Sequence, residues 1–205
     1  MALQLPICTA DIYLVRHGQT VWNTCGRIQG AMDSPLTERG RLQATVVGNC
    51  LAELLGPEVP ATLVVSPLGR AQETAALLAA ARSYHSIVLE SRIREVSLGA
   101  WDGLSREEID VEWPNALDGA TLFDWHLRAP DCEPYEAALA RTQDWLSDLR
   151  GTVVAVSHAV IGRIIRAAYL GLRVDELLCL NASPERIWHL SNGSATGIHA
   201  GDASR

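Results

Sequence analysis

Apolar positions along the chain fall into two textures. Four short runs, 12–15, 62–65, 87–89 and 152–156, are rich in β-branched residues and continuous rather than alternating. Such runs predict strands buried on both faces of a sheet. Longer stretches with helical spacing lie between or after them. Residues 37–55 open on Thr37 after Pro35 and stop before Gly56 and Pro57, while 68–82 are rich in alanine and leucine. Residues 133–149 set Ala137, Leu139, Ala140, Trp145 and Leu149 on one helix face, and 160–170 follow the last long strand. Strand and helix in alternation predict a three-layer α/β/α fold with a mostly parallel central sheet. Two later runs, 186–190 and 196–199, flank Ser-Asn-Gly-Ser and predict a closing hairpin or edge pair. The stretch 96–130 is different: rich in aspartate, it holds Trp101, Trp113, Phe123 and Trp125 with little clean period. It reads as an insertion or cap on a single domain spanning 1–205.

In an open α/β sheet, ligands bind beyond the carboxyl ends of the strands. The first strand is followed by Arg16-His17-Gly18-Gln19-Thr20, the second by Ser66-Pro67-Leu68-Gly69-Arg70, and the fourth by Ser157-His158. Three strands thus deliver two histidines and two arginines to one edge of the sheet. Arginine's planar fork bonds phosphate oxygens well, and phosphoryl transfer depends mainly on positioning and charge stabilisation. Gly18 is expected to let the backbone approach the ligand closely. Helix starts after Arg70 and His158 are expected to offer free N–H groups to an anion.

Composition narrows the choices. The net charge of −7 argues against an extended nucleic-acid surface. All 17 basic side chains are arginine, so a Walker-type phosphate loop and a Schiff-base lysine are both excluded. Five cysteines (Cys8, Cys25, Cys50, Cys132 and Cys179) form no C-x-x-C pair and suit a reducing cytoplasm. No apolar run reaches the ~18 residues of a membrane helix, and the first ten residues do not read as a signal peptide. A soluble cytoplasmic protein without a membrane partner is expected.

Arg16-His17-Gly18 with Thr20, Trp22 and Asn23, then Ser66-Pro67 with Arg70, Ala71 and Thr74, then Glu95, Gly99, Trp101 and Gly103, and last Val156-Ser157-His158 stand in one order. This set resembles the histidine phosphatase superfamily, which holds phosphoglycerate mutases, fructose-2,6-bisphosphatases and small-molecule phosphatases. The resemblance runs from about residue 12 to residue 171. It implies that His17 attacks phosphorus and becomes a phosphohistidine, while Arg16, Arg70 and His158 hold the phosphoryl oxygens. It implies that Asn23, Gln29 and Gly30 line the substrate site. Glu95 would protonate the leaving oxygen and then activate water. Neighbouring arginines oppose protonation of His17, which keeps it a competent nucleophile near pH 7.

Two departures bear on the substrate. The family commonly has glycine after the second histidine, whereas Ala159 here adds a methyl beside the pocket while keeping its N–H. Mutases of the family resemble one another in carrying Glu-Arg at the acid and a lysine downstream, whereas Glu95 is followed by Val96 and lysine is absent. A phosphatase acting on a small phosphorylated metabolite, without cofactor or metal, is therefore expected over a mutase. A metallohydrolase built on His17, His158 and Glu95 is disfavoured by the crowding arginines. A phosphate-binding module without turnover would need neither His17 nor Glu95. A homodimer is compatible with the sequence.

Overall fold

A computed structural model of the chain describes residues 8–120, 124–177, 180 and 183–201. Phe123 and Cys179 lie outside the described residues. Six strands form one sheet: β1 (Asp11–Arg16), β2 (Ala61–Val65), β3 (Ser86–Leu89), β4 (Thr152–Ser157), β5 (Arg186–Ser191) and β6 (Ser194–His199). Their order is β3-β2-β4-β1-β5-β6, with β3, β2, β4 and β1 mutually parallel and β5 antiparallel to both its neighbours. The fold is the expected α/β/α arrangement.

Side-chain alternation along the inner strands feeds two cores. Ile12, Leu14, Val153 and Ala155 pack on one face against α5 (Tyr135–Asp148) and α6 (Ala159–Leu170). Val15, Leu63, Val65, Val154 and Val156 pack on the other against α2 (Glu38–Leu55) and α3 (Gly69–Ala81). The helices match by spacing: Ala44, Val47, Leu51 and Leu55 of α2, and Ile161, Ile164, Ile165 and Ala168 of α6, each make one buried stripe.

Burial on both faces holds for β1, β2 and β4 but fails for β3. Ile87, Val88 and Leu89 are 59%, 46% and 61% exposed, because β3 is an edge strand paired only to β2. The hairpin is present. It turns on Asn192 and Gly193, whose φ values of 50° and 73° suit a two-residue turn needing positive φ twice.

A short α1 (Val21–Thr24) follows β1, and the stretch 96–130 contains α4 (Arg106–Glu112), which the aperiodic texture concealed. Its start is a capping box of Ser105 and Glu108. Leu98, Trp101, Ile109, Leu117 and Ala129 form a satellite core. Trp101 is fully buried, stacked on Trp125 at 6.4 Å and tilted against Trp113 at 6.3 Å. These tryptophans pack this core.

Candidate active site

Strand register brings the predicted groups together. Arg16 at the end of β1 pairs with Ser157 at the end of β4, and Val65 of β2 pairs with Val156. Because β4 lies between β1 and β2, the residues just past all three strands emerge side by side. The segment after β3 joins them: Ser157 Oγ donates to the Ile93 carbonyl at 2.8 Å, two residues before Glu95.

His17 is 3% exposed. Its Nδ1 lies 2.8 Å from the Gly18 carbonyl, which can only accept. Nδ1 therefore carries the hydrogen, and Nε2 keeps its lone pair. The Arg70 Nε–H donates to that Nε2 at 3.2 Å. Burial, then the charges of Arg16 and Arg70, push the His17 pKa well below the ordinary imidazole value, against a smaller upward pull from the Gly18 hydrogen bond. The imidazole is thus neutral at pH 7.

Arg70 is nearly fully buried and held by backbone. Its Nη2 donates to the Gly30 carbonyl at 2.9 Å, and Nη1 donates to the Met32 carbonyl and to Asp33 Oδ1. Glycine is favoured at position 30, where φ is 49° and a Cβ would sit 1.6 Å from Asp102 Oδ1 and displace that side chain. Gly30 thus orients the arginine through its carbonyl. Gln29 is 8% exposed, and its Oε1 has no hydrogen-bond partner among the described residues.

His158 is also buried. Its Nε2 is 2.6 Å from Ser66 Oγ, and Nδ1 is buried without a hydrogen-bond partner among the described residues. Ser66 Oγ also accepts from the Leu68 N–H at 3.4 Å, which ties the His158 ring to the turn that opens α3. The two imidazoles lie 5.2 Å apart between centroids. Burial, followed by His17, Arg70 and Arg16, holds the His158 pKa well below its ordinary value.

Three expectations are corrected by this geometry. The close approach that Gly18 permits is to α2: a Cβ on Gly18 would lie 2.3 Å from the Gly40 carbonyl, and its N–H is donated to Thr74 Oγ1. The N–H groups at the start of α3 do not await an anion, because Gly69 and Arg70 donate theirs to the Asp33 carboxylate. At the start of α6, Ala159 and Val160 donate to Glu95 Oε2 at 3.1 and 3.2 Å, and Ile161 donates to Oε1 at 2.9 Å. The Ala159 N–H is thus committed to Glu95. At both helix starts an internal carboxylate takes the place that the helix dipole favours for an anion.

Glu95 pairs with neither Arg92 nor Arg94, whose partners are Glu90, Asp144 and Asp148 for the first and Glu133 for the second. Its charge reaches Arg16, Arg70 and Arg163. Arg163 was not singled out from the sequence, although its place four residues after Ala159 on α6 would have suggested it.

A cavity of about 310 Å³ opens in front of Arg16 and His17. Asn23 lines it, held by a capping box in which Asn23 Oδ1 accepts from Thr20 N–H, so Nδ2 is left as a donor. Gln19, Arg39, Gln43 and Glu185 also line it, and none of the four was picked out from the sequence. Arg39 and Gln43 are brought in by α2 and Glu185 by the approach to β5, a long-range meeting with no local signal. Among the described residues no group of three or more His, Cys, Asp or Glu side chains is arranged to hold a metal ion.

Comparison with known proteins fits this geometry. Residues 12–195 match the family model of the histidine phosphatase superfamily (branch 1). A glucosyl-3-phosphoglycerate phosphatase of Mycobacterium tuberculosis is 40% identical over 197 residues, covering 89% of this chain and 85% of that protein. A probable phosphoglycerate mutase of Erwinia tasmaniensis is 34% identical over 198 residues, covering 92% and 84%. The solved structure of Bacillus stearothermophilus YhfR superposes with a TM-score of 0.76 at 31% identity, covering 93% of this chain and 96% of that one.

Proposed function

The chain belongs to the histidine phosphatase superfamily, and on that premise we propose that it hydrolyses small phosphate monoesters through a phosphohistidine on His17, without a metal. One observation carries the reading: the His17 Nε2 lone pair and the Arg70 guanidinium converge on a single point, with the ring hydrogen fixed on the opposite nitrogen. A phosphoryl oxygen that takes over the Arg70 Nε–H releases the lone pair for attack. Nε2 then bonds to phosphorus as the ester P–O bond breaks, and Arg16, Arg70 and His158 offset the charge on the phosphoryl oxygens. Glu95 gives a proton to the departing oxygen, and the same carboxylate takes one from the water that cleaves the phosphoramidate.

Hydrolysis is favoured over mutase chemistry because lysine is absent and Val96 follows Glu95. With 3-phosphoglycerate and a bisphosphoglycerate primer, inorganic phosphate should appear far faster than 2-phosphoglycerate. The described cysteines are all free thiols, which supports a reducing, cytoplasmic compartment. The decisive experiment quenches turnover in alkali. A labelled phosphate should be retained there, be lost in acid and be absent from His17→Ala; label on that variant, or on Ser66 or Ser157, rules out the assignment.

A further inference from the structure

The phosphoryl chemistry leaves the outer part of the cavity unused. There Arg39 on α2 faces Glu185, just before β5, with Nη2 and Oε1 3.5 Å apart. Both side chains are solvated, 69% and 42% exposed, so this pair adds little to stability and opens at little cost. Glu185 is held from behind. Gln43 Nε2 donates to its Oε1 at 3.0 Å, while Gln43 Oε1 accepts from the Gln19 N–H two residues past His17. The hydrogen bonds from Gln43 and Arg39 keep this carboxylate ionised, below its ordinary range. Among the described residues no Phe, Tyr or Trp side chain lines the cavity to stack on a base or an aryl group.

Charge then sorts the leaving groups. A purely anionic one meets Glu185, and a purely cationic one meets Arg39 beside Arg16. A group with both signs on neighbouring atoms exchanges one weak ion pair for two contacts. We propose that Arg39 and Glu185 form a leaving-group subsite for the phosphates of hydroxy-α-amino acids, with Arg39 taking the carboxylate and Glu185 the ammonium. The proposal rests on the phosphatase reading and refines it.

Four alkyl phosphates separate the charges: O-phosphoserine carries both, 3-phosphoglycerate the carboxylate, phosphoethanolamine the ammonium, and glycerol 3-phosphate neither. The enzyme should prefer phosphoserine by kcat/KM. Arg39→Gln should reduce the phosphoserine-to-phosphoethanolamine ratio about tenfold, and Glu185→Gln the phosphoserine-to-3-phosphoglycerate ratio about tenfold, as partly solvated charge-assisted hydrogen bonds imply. Both losses should fall mainly in KM. Neither side chain is buried, so the fold is not at stake, and circular dichroism checks this. Ratios unmoved by both substitutions, or a wild-type preference for glycerol 3-phosphate, overturn the subsite. Release of phosphate from p-nitrophenyl phosphate without any charge preference among the four sinks the subsite alone. Failure to release phosphate from any of the five removes the phosphatase reading and the subsite with it.

Discussion

A carboxylate that already accepts four backbone N–H groups is an unusual proton donor. Glu95 Oε1 holds Val96 and Ile161, and Oε2 holds Ala159 and Val160. To act as the acid it must exchange at least one of these bonds for a proton that it can pass to the departing oxygen. Two other carboxylates are engaged away from the nucleophile: Glu73 pairs with Arg41, and Asp102 accepts from Ser97 Oγ and the Leu98 N–H. Leaving-group chemistry tests the assignment. Glu95→Gln should slow alkyl phosphates by ~10²–10⁴-fold. With p-nitrophenyl phosphate, whose anion departs unaided, a burst of nitrophenol should precede a slow steady rate as phosphoenzyme accumulates. Equal losses on both substrate types, without a burst, would transfer the role to another group.

At the level of elements, the same carboxylate is the cap that α6 otherwise lacks. His158 at the N-cap gives no side-chain bond, so three orphan N–H groups depend on Glu95. Asp33 serves α3 in the same way and also holds Arg70. A carboxylate at a helix N-terminus has the favourable dipole, which an amide lacks. Glu95→Gln should therefore lower unfolding stability by about 1 kcal/mol, read from urea midpoints alongside the kinetic defect. A variant with full kinetic loss and unchanged stability would show that the capping bonds carry no net weight.

Considered as a whole, the molecule keeps two neutral imidazoles beside two guanidiniums, buried Arg70 and half-buried Arg16. His17 and His158 have folded pKa values depressed far below that of an unfolded imidazole. As pH falls below about 6.5 the unfolded chain takes up protons that the folded chain refuses. Stability should therefore be complete above that pH and decline below it, by about 1.4 kcal/mol per pH unit for each histidine, down to the folded pKa values. Urea titrations between pH 7 and pH 5 measure the slope, and His17→Asn with His158→Asn should flatten it. An equally steep slope in that double variant would assign the acid sensitivity to other groups. The arginines supply the charge a metal would bring, so dialysis against chelator should leave turnover intact; activity restored only by zinc or magnesium refutes the metal-free mechanism.

Periodicity and strand-end chemistry were enough to predict the three-layer sheet and to bring Arg16, His17, Arg70 and His158 to one edge. Strands β1, β2 and β4 are short apolar runs, and the reactive residues at their ends are their neighbours in sequence. Three things needed the tertiary structure. The aromatic stretch 96–130 forms its own core, because its contacts join segments without a common period. The helix N-termini that looked open to phosphate are filled by Glu95 and Asp33, which lie 64 and 36 or more residues away from the N–H groups they satisfy. The outer cavity brings Arg39 together with Glu185 across 146 residues. A strand predicts the group at its own end because the chain direction carries that group there; which distant carboxylate reaches it first is decided only when the layers close.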